Sequence, residues 1–290
     1  MQLSFSRAPR DMESQRTIGT SIGATRCEGY ESGLSHIARA ALTEGTQVKM
    51  DFDAVLKRAR ADLQIPTRDG EFDLYLWEHS VRVAFNCRRI SKLDEVRTRS
   101  PDELALFAAA LYHDSGWSNR CRSGEIDRLE VLLGPTPEAG HDIGANLLQQ
   151  SLGGILDRDT LQRAVTAILT RSEKNPVTIE AQVLSDADHL EEFGLVSLWG
   201  VIRRGALDGK GVQAAIDVWK RKKEYQFWSA RLADSFRFEA VRDVARKRLE
   251  CFERFMNELA AENRGDDLPS LPDSMVANPM GQALRLHGGR

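Results

Sequence analysis

Apolar residues recur every three or four positions over most of the chain from Asp51 to residue 263, which is the spacing of an amphipathic helix. Short interruptions by Gly, Pro and Asn separate these stretches, and no alternating run long enough for a strand occurs. Pro101, followed by two acidic residues, is typical of a helix start, and Asn175-Pro176 is typical of a break. The pattern predicts an all-α fold with helices over residues 51–64, 71–93, 102–114, 139–152, 157–171, 177–191, 194–205, 211–233 and 237–263.

The two ends of the chain lack this periodicity. Residues 1–48 are rich in Ser, Gly, Thr and Arg, and residues 264–290 hold 3 of the 9 prolines. We therefore expect one helical core at residues 51–263, arranged as a bundle between flexible N- and C-terminal tails. Met50, at the junction, is a second candidate for the start of translation.

Charge and composition exclude several classes of partner. The chain has 43 acidic and 40 basic side chains, so it lacks the positive surface that binds duplex DNA or anionic membranes without specificity. It has no apolar run of about 18 residues and no apolar secretory signal. Its 4 cysteines are widely spaced, which favours free thiols. These features predict a soluble, cytoplasmic protein without a membrane partner or a broad nucleic-acid-binding surface.

Metal-binding side chains occur where predicted helices end. His79 lies in LYLWEHSVRVA, His113 and Asp114 follow the apolar run of LFAAALYHDSGW, and Asp188 lies in VLSDADHLEEFG. A buried carboxylate without a partner is costly, and one shared cation would satisfy both aspartates. Imidazole and carboxylate together suit Mn²⁺, Fe²⁺, Co²⁺ or Zn²⁺ better than the all-oxygen sites of Mg²⁺ or Ca²⁺.

The order of these residues resembles the H…HD…D signature of the HD-domain superfamily, an all-helical group of metal-dependent phosphohydrolases. WEHSVRVA resembles the first helix of that family, AAALYHDSGW its central helix, and SDADHLEEFG its D-A-D-x-L-E…G stretch. FRFEAVRDVARKRLECFERFMNEL resembles the closing helices of the bacterial branch that includes small nucleotide pyrophosphohydrolases. The resemblance implies that His79, His113, Asp114 and Asp188 hold the metal, and that Asp186 supports the site or caps a helix.

Three further residues are expected at the site, His141 and Arg171 from the same resemblance and Arg82 from its position on the helix of His79. Residues 141–144 also read HDIG, but their surroundings resemble the extra histidine of two-metal members, so His141 is expected at the edge of the site. Where those members have a further histidine, this sequence has Arg171, which argues against a complete dinuclear centre. A guanidinium cannot ligate a metal but can bind a phosphate bidentately. Arg171 is therefore expected to contact substrate, as is Arg82, which lies one turn after His79.

The function implied by the resemblance is hydrolysis of a small phosphorylated molecule, a nucleotide in the first instance. Asp114, Arg82 and Arg171 would form the catalytic set, and a metal-activated water would attack phosphorus. Mn²⁺ is the first choice of metal, with Fe²⁺, Co²⁺, Ni²⁺, Zn²⁺ or Mg²⁺ as alternatives. Two other functions stay open: a di-iron oxygenase of HD fold, against which Arg171 argues, and a non-catalytic module that senses metal or nucleotide, against which the intact ligand set argues.

The remaining aromatic and basic residues are assigned structural roles. His189 follows Asp188 directly and points about 100° away on a helix, so a surface or interface position is predicted. The basic run at residues 220–223 predicts a solvated helix face. Core positions are predicted for five aromatic side chains: Trp199, Trp219, Phe227, Trp228 and Phe236.

Overall fold

The computed structural model describes residues 46–134 and 137–268, without the side chains of residues 46–50 and 138. Most of both predicted tails, at residues 1–48 and 264–290, therefore lies outside the described residues. Every site residue considered below belongs to one compact unit, Met50–Arg290.

The described residues are almost entirely helical, which confirms the predicted all-α class. The only regular strands among them are β1 (Ile65–Pro66) and β2 (Phe72–Asp73), which pair antiparallel. Single turns of 3₁₀ helix cover Arg128–Glu130 and Leu190–Glu192. The α-helices are, in chain order, α1 (Thr46–Leu63), α2 (Tyr75–Ile90), α3 (Asp94–Arg97), α4 (Glu103–Tyr112), α5 (Gly116–Arg122), α6 (Glu138–Leu152), α7 (Arg158–Thr170), α8 (Ile179–His189), α9 (Leu195–Leu207), α10 (Val212–Glu224), α11 (Phe227–Asp234) and α12 (Glu239–Arg264).

Helix α4 forms the centre of the bundle because its sequence, ELALFAAALY, is apolar on nearly every face. Such a helix buries the most apolar surface when other helices cover it on all sides. Here α2, α6, α7 and α8 pack around it. Residues 108–112 are completely buried. The chain leaves this helix at His113 while still inside the core, so the polar side chains that follow are buried as well.

Hydrogen bonds tie together the first turns of α4, α7 and α8. Asp102 caps α4 by accepting a hydrogen bond from the Ala105 backbone N–H (2.9 Å), and it also accepts one from Thr160 Oγ1 of α7 (3.0 Å). Its own backbone N–H donates to the Glu180 carboxylate of α8 (3.0 Å). The three helices have similar lengths, of 10 to 13 residues. Since they begin together, their C-terminal ends can also meet.

Two glycines let α6 approach the turn that follows α4. A Cβ on Gly144 would lie 3.0 Å from the Tyr112 carbonyl oxygen, and one on Gly116 would lie 2.7 Å from the Gly140 carbonyl oxygen. A side chain at Gly116 would force the two backbone segments apart, and one at Gly144 would require a neighbouring carbonyl to shift. The contact brings the first turn of α6, which carries His141, close to the end of α4.

Two helix predictions need correction, and the short helices α3 and α5 were not predicted. The helix predicted at 71–93 begins at Tyr75, because residues 72–73 pair with β1 and Asp73 accepts a hydrogen bond from the Tyr75 N–H (3.0 Å). The helix predicted at 211–233 divides into α10 and α11, since Gln226 has a left-handed backbone conformation (φ 52°). Helix α5 was not predicted, because GWSNRCR carries too few apolar residues to show a period.

The predicted aromatic core is correct except at one position. Trp219, Trp228 and Phe236 are buried and Phe227 is half-buried, but Trp199 is 56% exposed. The basic run forms a solvated face apart from Lys222, which is half-buried over the rings of Phe227 and Trp228. Within residues 46–134 and 137–268, no helix combines the length and the apolar content needed to cross a bilayer.

Candidate metal centre

Four predicted ligands meet at one point in the core. His79 comes from the second turn of α2, His113 and Asp114 from the turn that ends α4, and Asp188 from the last turn of α8. One ligand atom of each lies within 4.8 Å of all the others. Residues separated by as many as 109 positions are thus brought together by the packing of α2, α4 and α8.

The spacing of these ligand atoms fits a single metal ion. The Nε2 atoms of His79 and His113 lie 3.3 Å apart. Each of them lies 3.4–3.6 Å from Asp114 Oδ2 and from Asp188 Oδ1. A point equidistant from atoms at this spacing lies about 2.1 Å from each, which is the usual length of a metal bond to imidazole or carboxylate. The arrangement therefore fits a divalent cation without rearrangement.

Hydrogen bonding directs the lone pair of His113 toward the centre. His113 Nδ1 lies 2.8 Å from the Ala110 carbonyl oxygen, so Nδ1 carries the proton and donates it to that carbonyl. Nε2 is then the nitrogen available to a metal. His79 has its Nδ1 4.0 Å from Glu191 Oε2 on its outer side, while its Nε2 faces His113.

The electrostatics of the cluster favour positive charge at its centre. Burial alone would lower the pKa of His113, but the charges of Asp114 and Asp188 raise it to about 9. Burial alone would raise the pKa of each aspartate, but His113 and Arg171 hold both pKa values below the ordinary value. The C-terminal ends of α4 and α8 also lie here, and helix C-termini carry partial negative charge that favours a cation.

Arg171 is the cation that the structure places beside the ligands. It ends α7 and is buried, with 7% of its surface exposed. Its Nη2 donates to Asp114 Oδ1 (2.8 Å) and its Nη1 donates to Asp188 Oδ2 (2.5 Å). The sequence predicted Arg171 in the site, but it did not predict that the guanidinium binds both carboxylates.

Arg82 is anchored by an acidic residue to which the sequence assigned no role. Its Nε donates to Glu191 Oε2 (2.6 Å), and Asn86 donates to Glu191 Oε1 (3.1 Å). Glu191 is buried, whereas the Arg82 side chain keeps 27% of its surface exposed. Glu191 lies in the D-A-D-x-L-E stretch, three residues after Asp188. This position, about one helical turn from a predicted ligand, could have indicated that Glu191 lies near the site.

The other predicted site residues have distinct positions. His141 is buried in the first turn of α6, where burial and the charge of Arg171 lower its pKa. Asp186 faces away from the candidate ligands and accepts hydrogen bonds from the backbone N–H groups of Arg237 and Phe238 (3.0–3.1 Å), so it anchors the two residues that precede α12. His189 is half-buried beside Phe236 rather than on an open surface, and burial lowers its pKa.

Comparison with known proteins gives the following similarities. Residues 76–192 match the family model of the HD domain. No protein with curated annotation matches the chain. The crystal structure of YpgQ from Bacillus subtilis, also solved in complex with ADP, is 21% identical with a TM-score of 0.48 over 75% of this chain and 97% of that chain. A predicted HD superfamily hydrolase from an uncultured Thermotogales bacterium is 20% identical, with a TM-score of 0.41 over 72% of this chain and 90% of that one.

The matched segment contains His79, His113, Asp114 and Asp188 in the order of the H…HD…D signature. It covers α2 to α8, the helices that build the four-ligand cluster. The segment 76–192 is therefore similar to the HD domain, and its four clustered side chains could together hold a divalent metal ion.

Proposed function

We propose that the protein is a phosphohydrolase that uses one divalent metal ion to cleave a phosphate ester or anhydride in a small molecule. The observation that carries the proposal is the contact of Arg171 with two residues of the cation site, Asp114 and Asp188. The two carboxylates and the guanidinium together have one net negative charge, which a divalent ion converts to one net positive charge. Such a site attracts an anionic substrate.

Phosphoryl transfer requires stabilisation of negative charge on the equatorial oxygens, more than it requires covalent chemistry from the protein. When bound, a divalent ion supplies an activated water and polarises a phosphoryl oxygen. His79, His113, Asp114 and Asp188 would hold that ion.

Two guanidinium groups are placed to add to this stabilisation. Arg171 contributes a fixed, buried positive charge next to the ion site, and such pre-organised charges need no rearrangement during the reaction. Arg82 is held by Glu191 through its Nε and is reachable from solvent, so its remaining N–H groups can bind a phosphate oxygen. The buried imidazole of His141 borders the same space, where it would contact the substrate.

The proposal also names a class of substrate and a metal ion. A nucleotide is proposed on the resemblance of the sequence to the nucleotide-hydrolysing branch of the superfamily. Mn²⁺ is proposed because two imidazoles with two carboxylates form a mixed N/O donor set of intermediate hardness.

The experiment is a screen of the purified protein with Mn²⁺, Co²⁺, Ni²⁺ and Mg²⁺ against nucleoside mono-, di- and triphosphates and generic phosphodiesters. Release of orthophosphate or pyrophosphate supports the proposal. The Asp114→Asn substitution is expected to abolish this release of phosphate, because it removes the negative charge of one proposed metal ligand. Asp142→Asn is the matched control: Asp142 belongs to the second His-Asp pair of the sequence, is exposed, and is expected to keep full activity.

Three outcomes contradict the proposal. A fully active Asp114→Asn enzyme would exclude this centre as the site of hydrolysis. Two iron atoms per chain with oxygen uptake would favour the di-iron oxygenase. Thermal stabilisation by a nucleotide and Mn²⁺ without any turnover would favour a sensing module.

A further inference from the structure

We infer that Arg171 restricts this centre to one metal ion by occupying, with its guanidinium, the place that a second cation would need. The inference concerns the ion site of the proposed function and therefore rests on it. Its evidence is the way in which the two carboxylates are shared between the ligand cluster and Arg171.

Each carboxylate is divided between two partners. Asp114 directs Oδ2 toward the histidine Nε2 atoms, at 3.4–3.5 Å, and accepts a hydrogen bond from Arg171 through Oδ1. Asp188 directs Oδ1 toward the same nitrogens, at 3.4–3.6 Å, and accepts from Arg171 through Oδ2. One oxygen of each aspartate thus faces the ion position, while the other is bound by the guanidinium.

A second ion would have to use the oxygens that Arg171 binds. In two-metal sites the ions lie about 3.5–4 Å apart and commonly share a carboxylate between them. Here the second oxygens of Asp114 and Asp188 already accept charge-assisted hydrogen bonds, which are among the stronger kinds. A second divalent ion would also lie directly against a permanent positive charge, because a guanidinium does not lose its proton in proteins.

Arg171 is also fixed in this position. It begins the turn after α7, both of its Nη groups are engaged by carboxylates, and its Nε is buried. Moving the side chain away would leave the second oxygens of both aspartates without this partner inside the core, which is costly. Among the described residues, moreover, the four ligands form the only group of three or more His, Cys, Asp or Glu side chains close enough to hold an ion.

The test is the number of Mn²⁺ ions bound per chain, measured by equilibrium dialysis with metal analysis and by electron paramagnetic resonance. The wild-type chain is expected to bind one ion and to show the spectrum of isolated Mn²⁺. In Arg171→His, an imidazole replaces the guanidinium, so we expect a second ion and the broadened spectrum of a spin-coupled pair. Arg171→Lys keeps the positive charge and is expected to bind one ion.

Arg163→His is the matched control, because Arg163 lies in the middle of α7 and binds Glu180 in the first turn of α8, away from the four candidate ligands. It also adds a histidine, and it is expected to bind one ion. Circular dichroism confirms that each variant is folded before its ions are counted.

Two results would overturn the inference: two ions bound by the wild-type chain, or a folded Arg171→His variant that still binds one. Failure of the proposed function is a separate result. The wild-type chain could bind one Mn²⁺ ion and release no phosphate from any substrate. That result would contradict the proposed phosphohydrolase activity but would agree with the inference of a single metal ion.

Discussion

Asp186 and Asp188 are separated by one residue on α8, yet their carboxylates bind groups from different parts of the chain. Asp188 pairs with Arg171 in the candidate metal centre, whereas Asp186 accepts hydrogen bonds from the backbone at the start of α12. The Arg237 guanidinium also binds Asp186 (3.3 Å). One turn of α8 therefore contributes to the candidate metal centre and also anchors the start of the last helix of the bundle.

This division predicts that Asp186 matters for stability more than for catalysis. Asp186→Ala leaves two backbone N–H groups and Arg237 without their buried acceptor, and it is expected to lower the free energy of unfolding by about 3 kcal/mol. Urea unfolding followed by circular dichroism measures the change. The exposed Asp142→Ala is the control, with an expected change within about 0.5 kcal/mol. A loss below 1 kcal/mol for Asp186→Ala would show that these hydrogen bonds are dispensable.

Glu191 is predicted to act on the reaction through Arg82 and His79. Glu191→Gln removes the charge that holds the Arg82 guanidinium (2.6 Å) and that faces His79 Nδ1 (4.0 Å). We expect kcat/KM for the best phosphorylated substrate to fall by about 10- to 100-fold, the usual effect of losing a residue that orients a metal ligand. If Arg82 transmits the effect, Glu191→Gln adds little to Arg82→Ala in a double-variant cycle.

The neighbouring Glu192→Gln is the control for that measurement. Glu192 carries the same charge and pairs with Arg231, but both side chains are about one-third exposed and neither belongs to the ligand cluster. Its kcat/KM is expected to stay within about twofold of wild type, because exposed ion pairs contribute little. Equal losses in the two variants would mean that general charge, rather than contact with Arg82, causes the effect.

The close approach of α6 to the His113 turn gives a prediction at Gly144. Gly144→Ala places a Cβ 3.0 Å from the Tyr112 carbonyl oxygen and 3.4 Å from that of His113, so one backbone segment must move. We expect a loss of stability of about 1–3 kcal/mol and a weaker affinity for Mn²⁺, because the displaced turn carries two ligands. Gly154→Ala has open space and serves as the control in calorimetric titrations. Unchanged Mn²⁺ affinity in Gly144→Ala would show that the turn does not depend on this contact.

Local signals allowed most helices to be predicted from the sequence. Asp102 and Asp157 each accept a backbone hydrogen bond at the start of a helix, as their positions before apolar periodic stretches indicate. The division at Gln226 could not be predicted, because nothing in its own chemistry favours a left-handed backbone. That conformation lets the next residues turn so that Trp228 packs against Phe252, a contact between segments that are distant in sequence.

The meeting of His79, His113, Asp114 and Asp188 could be predicted, because these residues occur in separate short motifs whose order resembles a known signature. The contacts of Arg171 with both aspartates depend on where α4, α7 and α8 end relative to one another, which no local pattern contains. Arg171 is 17 residues from Asp188 and 57 from Asp114, and only the packing of α4, α7 and α8 brings its guanidinium between them. The sequence therefore predicted which kinds of side chain meet in the candidate site. Only the structure shows that each carboxylate directs one oxygen toward the histidines and the other toward Arg171.

The last prediction separates the assembly of the bundle from the geometry of its ion site. Asp102 lies at the start of α4, about 15 Å along the helix from the ligands at its end. Asp102→Ala removes the cap of α4 and the acceptor for Thr160, so we expect a loss of about 2 kcal/mol in the free energy of unfolding. Asp102→Asn retains an acceptor oxygen and should recover about half of it.

The affinity of the folded Asp102→Ala protein for Mn²⁺ is nevertheless expected to stay within about threefold of wild type. A capping interaction stabilises the folded chain relative to the unfolded one, whereas the positions of His113 and Asp114 are set by their own contacts at the other end of α4. Calorimetric titration well below the melting temperature measures this affinity. Gly144→Ala, in contrast, should reduce stability and Mn²⁺ affinity together. A tenfold loss of affinity in Asp102→Ala would mean that the hydrogen bonds joining the starts of α4, α7 and α8 also control where these helices end.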